Sequence, residues 1–209
     1  MNDDVLVPML YHIEMQCQIV LESNRDLERA LAAYDAEFAA MVASAANPDK
    51  EWRPLSPGGT TTAYRHLQSL LVAAANISKA LWGVKVKRRD LPKEREPLRK
   101  VLGVTDQSVL VSRTVRDCFE HYDERVVEWI AAHPGTGFGD CNIGPGHPGG
   151  RVFRHYDPLT KVVTGVDQYF KEFTLSVADV VAEVQRIVAA NPCAYKPLPA
   201  VRSLGRKKS

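Results

Sequence analysis

The sequence predicts a mainly α protein: a helical bundle of four to five helices with a β-hairpin inserted near 151–166. Three observations carry that expectation. Apolar residues recur at three- and four-residue steps over long stretches, the period of a helix with one buried face. Two proline- and glycine-rich segments, 48–59 and 133–150, separate those stretches. The turn-forming Asp157-Pro158-Leu159-Thr160 is flanked by two short β-favouring runs, RVFRHY before it and KVVTGV after it.

Residues 5–23 carry Val5, Met9, Ile13, Gln16, Val20 and Leu21 at helical spacing, and 25–46 continue with Leu27, Leu31, Tyr34, Phe38, Met41 and Val42. Ser23 or Asn24 would cap a second helix; a single long helix fits equally well. Asn47-Pro48 ends the zone, because proline disfavours helix in the residue before it. A further helix is expected over 61–82, with Leu67, Leu70, Leu71, Ala74, Ile77, Ser78, Leu81 and Trp82 inward and Gly83 as its stop. A basic stretch follows: Lys85, Lys87, Arg88, Arg89, Lys93, Arg95, Arg99 and Lys100, interspersed with Asp90, Glu94 and Glu96. A short helix is expected at 93–101. The next long helix is expected over 106–132, where Val111, Val115, Cys118, Tyr122, Val126 and Trp129 form one stripe and His133-Pro134-Gly135 terminates it. The segment 133–150 holds seven of the thirteen glycines and three prolines, and reads as an irregular loop. A last helix is expected over 174–190. The domain reading is therefore one helical unit at 1–190, with a loop-and-hairpin insertion at 133–173, and a flexible basic tail at 191–209.

Composition narrows the function classes. The chain has 209 residues, 45% apolar, with 27 basic and 25 acidic side chains and a net charge of +2. A chain of this size buries ~70% of its unfolded surface, and global disorder is excluded. The longest mostly apolar run, 70–75, is far short of the roughly 20 residues a membrane span needs. The opening MNDDVLVPML has acids where a signal peptide carries basic charge, so a cytoplasmic protein with no membrane partner is expected. Cys17, Cys118, Cys141 and Cys193 contain no CxxC pair, which fits reduced thiols.

The densest polar cluster lies within 113–125: Arg113, Arg116, Asp117, Glu120, His121, Asp123, Glu124 and Arg125. On a helix, Asp117 and His121 are one turn apart, as are Arg113 and Asp117. A carboxylate on one imidazole nitrogen leaves the other free for proton transfer. A guanidinium matches a phosphate with a fork of donors. The bland alternative is a solvated face laced with ion pairs.

Arg116-Asp117-Cys118-Phe119-Glu120-His121 resembles the signature of HEPN domains (higher eukaryotes and prokaryotes nucleotide-binding): arginine, a polar residue, three to five residues, histidine. The resemblance covers about 5–132. It implies a metal-independent endoribonuclease without a cofactor, of a toxin or antiviral defence kind. His121 would act as general base or acid at the ribose 2′-hydroxyl, Arg116 would hold the scissile phosphate, and Asp117 would orient them. It also implies a homodimer, because family sites form where two motifs meet, and a protein antitoxin or regulator as partner. Two departures stand out. Relatives paired with nucleotidyltransferase antitoxins carry a tyrosine two positions after the histidine; position 123 here is Asp, and Tyr122 is one place early. An ideal helix sets Arg116 and His121 about 140° apart, so a dimer seam or a helix irregularity must bring them together. The alternative is a non-catalytic HEPN-like helical protein that binds RNA, nucleotide or a protein partner.

Other signals are weaker. Arg113, Lys85, Lys87, Arg88 and Arg89 are candidate RNA contacts. Arg151, Arg154 and His155 are a further candidate polyanion surface, and Trp52, Tyr64 and Trp82 candidate base-stacking rings. Gly144–Gly149 fits GxGxxG literally but carries two prolines. His133, Cys141, His147 and His155 match no metal-ligand spacing, so no metal is expected.

Overall fold

The computed structural model describes residues 3–45, 58–83, 91–112, 122–134, 139–146, 152–166, 169 and 171–193. The chain is mostly helical with a small four-stranded sheet. No helix among the described residues is long and apolar enough to cross a membrane.

α1 (Asp3–Ala45) is a single helix of 43 residues, about 65 Å long at 1.5 Å per residue. It runs straight through Ser23 and Asn24, so neither is a cap. Leu10, Ile13, Cys17, Val20 and Leu27 are fully buried along one stripe. Past Leu31 apolar side chains come to the surface, and Phe38 is 47% exposed. α2 (Gly58–Trp82) returns antiparallel to it: Asn76 donates to Gln16 Oε1 (3.1 Å), and Gly59 lies against the Tyr34 ring at the other end. Gly83 closes α2 with φ +70°, and a Cβ there would come within 2.5 Å of Leu91 Cβ. Both facts demand glycine.

The expected short helix is two: α3 (Leu91–Glu94) and α4 (Glu96–Val101), broken at Arg95. Arg99 ties them to α2, donating to the carbonyls of Leu81 (2.8 Å) and Pro92 (2.9 Å) and lying over the Trp82 ring. The Trp82 indole donates to Asp106 (2.8 Å). Trp82 is thus a core residue, not a base-stacking ring.

The expectation of an α-helix from Asp106 fails at its start. Residues 104–108 are not helical, with a turn at 106–107, and Val109–Val111 is one turn of 3₁₀ helix. The polar side chains have other partners: Asp106 takes the Trp82 indole, and Ser108 donates to Glu183 (2.6 Å) while accepting from Leu110 N. Such side chains compete with helical bonding. Helix is described again at α5 (Tyr122–Ala132).

The sheet has the order β1 (Asn142–Ile143), β2 (Arg154–Asp157), β3 (Val162–Val166), β4 (Glu172–Ser176). β1 and β2 are parallel; the other neighbours are antiparallel. Asp157 Oδ1 accepts from Leu159 N (2.8 Å) and Thr160 N (3.3 Å), fixing the turn after β2. Opposed residues share a face. Ile143, Tyr156, Val163 and Leu175 make the apolar one; Asn142, His155, Thr164 and Thr174 make the polar one.

The last helix also starts later than expected. Residues 172–176 are β4, and α6 (Val177–Ala190) follows with Ser176 as its cap, accepting from Asp179 N (3.1 Å). Val177, Val180, Val184 and Ile187 form its buried face. Asn191 then donates to the Leu10 carbonyl (3.1 Å), tying the end of α6 to α1. The tail from 194 lies outside the described residues.

Candidate functional site

The residues that the sequence singles out, Arg113, Arg116, Asp117 and His121, lie outside the described residues, as do Lys85, Lys87, Arg88 and Arg89. The structure does fix the chain on both sides of the motif. Before it stands the 3₁₀ turn, whose Leu110 is buried. After it, helix is described over Tyr122–Ala132 as α5. Trp129 holds α5 in place. It is buried, meets Phe153 edge-on at 6.2 Å between centroids, and stacks on His133 at 4.6 Å. His133 Nδ1 donates to the Trp129 carbonyl (2.8 Å), closing the last turn. Val127 and Ile130 lie exposed on the opposite flank.

A second polar centre joins β1, β2 and α2. Arg154 makes a two-pronged pair with Asp140: Nε to Oδ1 at 2.8 Å and Nη2 to Oδ2 at 2.6 Å, both side chains nearly buried. Nη2 also donates to Cys141 Sγ, and that thiol donates to Asp140 Oδ2, each at 3.3 Å. The guanidinium lies over the Tyr64 ring, 5.4 Å from its centroid. Burial works against the Asp140 charge, but the hydrogen bonds and charge of Arg154 outweigh it and hold the carboxyl below its ordinary value. Burial pushes the Cys141 thiol up, so it is neutral at pH 7 and no activated nucleophile. This centre is a clamp. The sequence contains Asp140 and Arg154, but only the parallel pairing of β1 with β2 brings them together.

The clamp corrects two expectations. Arg154 and His155 offer no polyanion surface: both are buried, Arg154 is matched by Asp140, and His155 Nδ1 meets the Asn142 amide at 3.2 Å. Tyr64 is no stacking platform, because its ring is buried and one face is covered by Arg154.

Beside the clamp, α2 carries two clefts. The smaller, about 220 Å³, is bordered by Thr60, Thr61, Tyr64 and Cys141. The larger, about 430 Å³, is bordered by Gln16, Ile19, Ser69, Val72 and Asn76. Arg65 and Gln68 line both, so the two clefts adjoin along α2, and the larger forms a groove across α1 and α2. Sequence reading missed Arg65 and Gln68 because they sit on the polar face of a helix, where such residues usually signal solvent alone. Among the described residues no group of three His, Cys, Asp or Glu side chains is placed to hold a metal ion. Compared with protein-family models, curated proteins and solved structures, the chain matches none.

Proposed function

We propose that this chain is a metal-independent endoribonuclease of HEPN type, acting in toxin or antiviral defence. The supporting observation is the Arg116-Asp117-x3-His121 motif, which in the sequence directly precedes a helix that Trp129 fastens to the core. In this reading His121 removes the proton of a ribose 2′-hydroxyl. The freed oxygen attacks the adjacent phosphorus, and the 5′-oxygen leaves with a proton. Arg116 stabilises the charge that builds on the phosphate oxygens, and Asp117 orients the imidazole. A second copy of the chain completes the site, and a protein antitoxin restrains it.

A second reading, binding without cleavage, draws on the groove at Arg65, which holds hydrogen-bond donors and no carboxylate or imidazole among its described lining. One experiment separates the two. Purified protein should cut single-stranded RNA in excess EDTA, and His121→Ala should lower the rate at least 10²-fold, the usual scale for a general base, with the melting temperature unchanged. Cleavage by the variant at the parent rate would remove the catalytic reading. Binding with no cleavage by either protein would favour the second.

A further inference from the structure

We infer that the groove across α1 and α2 is a binding site for a nucleoside phosphate, with the phosphate on Arg65. The inference takes its ligand class from the RNA reading above and adds a place for that ligand.

The lining chemistry carries the argument. Arg25, Arg29, Arg154 and Arg186 each pair with a carboxylate, Arg99 holds backbone carbonyls, and Arg95 and Arg125, which line neither cleft, each keep a buried nitrogen without a partner among the described residues. Arg65 lines both clefts and has no hydrogen bond or ion pair among the described residues. No carboxylate lines either cleft among those residues, in a chain with 25 acids. A cation kept clear of acids attracts an anion from solution, and its fork suits phosphate oxygens.

The larger cleft adds a buried donor. Gln16 is only 6% exposed, and its Oε1 accepts from Asn76. Its Nε2 has no partner among the described residues. Asn76 keeps Oδ1 as an acceptor. Two neighbouring amides thus offer a donor and an acceptor, the pairing that reads a base edge. Ile19, Val72 and Ala73 supply apolar surface beside them. The smaller cleft carries the hydroxyls of Thr60 and Thr61, which suit a ribose. Along α2 the amides at Asn76, then Ser69 and Gln68, then Arg65 follow the order base, sugar, phosphate of a nucleotide, and Thr60 and Thr61 beyond Arg65 would meet the next sugar of a strand. The larger cleft, about 430 Å³, lies within the range of small-ligand sites.

The ligand has two sources, a single-stranded RNA segment or a free nucleotide, and binding experiments distinguish them. Fluorescent single-stranded RNA and, separately, AMP would be titrated into the His121→Ala protein, which keeps RNA intact. Arg65→Glu and Gln68→Glu would be built in that background; both side chains are exposed, and thermal melting checks the fold. Arg65→Glu should weaken RNA binding about tenfold or more and reduce the salt slope by roughly 0.7, the share of one phosphate on a single strand. Gln68→Glu, an isosteric acid, should weaken it in the same direction. Loss of AMP binding alone, in a protein that ignores RNA, would assign the site to the free nucleotide. Undiminished RNA and AMP binding by Arg65→Glu, or no binding of either by the parent, would overturn the inference. Cleavage by the wild type with an unaffected Arg65→Glu variant would overturn it and leave the ribonuclease reading standing. Weaker binding by Arg65→Glu in a protein that never cuts RNA would do the reverse.

Discussion

Two arginines near the same cleft stand in opposite circumstances. Arg154 lies behind the cleft wall, donating to Cys141 and locked to Asp140 by two short hydrogen bonds. Arg65 lies on the rim with no partner among the described residues. A buried guanidinium must be matched at once, because an unpaired charge away from water costs several kcal/mol. An exposed one stays hydrated and can wait for a ligand. The contrast separates what holds this protein together from what is available for binding.

The largest expected effect tests the buried side. Arg154→Ala leaves the Asp140 carboxylate uncompensated and should cost about 3–5 kcal/mol in urea unfolding. The Arg154→Met, Asp140→Leu double variant should recover much of that loss, since no lone charge remains. The clamp also has a pH signature. The Asp140 pKa is lower folded than unfolded. Its contribution is therefore fully present above the ordinary carboxylate range and is lost as pH falls through the folded-state value. Stability against pH should fall less steeply on the acid side in Arg154→Ala. A loss below about 1 kcal/mol, with an unchanged acid limb, would show that the pair is not a clamp.

An intermediate case sharpens the comparison. Lys161, at the turn between β2 and β3, meets Glu28 of α1 at 2.6 Å, with both side chains about half exposed. The distance equals the shorter Arg154–Asp140 contact, but water screens the pair. Lys161→Met should cost under about 1 kcal/mol, and the cost should shrink in molar salt. A salt-independent loss as large as that of Arg154→Ala would mean that distance, not burial, sets the value of these pairs.

The sequence made the helices legible where periodicity was long and unopposed. The expected helix at 61–82 differs from α2 by three residues at one end, because thirteen of its side chains are buried and Gly83, at positive φ against Leu91, stops it. The turn at Asp157 was legible for a similar reason: its own carboxylate makes it. The outer strands were not. β1 has two residues inside a glycine-rich loop, too few to show alternation. β4 does alternate, with Phe173 and Leu175 against Glu172 and Thr174, but Leu175 also fits the helical spacing of Val177 and Val180. The cap bond to Ser176 decides between them. Val111 looked like part of a helical stripe, yet the polar residues before it are engaged by Trp82 and Glu183. For the sites, the motif at 116–121 is a matter of spacing and can be read. The Asp140–Arg154 pair and the Arg65 groove are products of tertiary structure, and no local pattern announces them.

The smallest expected effect is the most discriminating. Arg65→Ala removes an exposed side chain with no partner among the described residues, so stability should stay within about 0.5 kcal/mol of the parent. Its aliphatic stem covers little, since the groove beside it is open. The same substitution should weaken nucleoside phosphate binding, whereas Arg154→Ala, compared at a temperature where it is folded, should weaken it less, since Arg65 is still in place. A stability loss of 2 kcal/mol or more in Arg65→Ala would place Arg65 among the structural arginines. The two sides of the cleft would then differ in degree of exposure only, not in role.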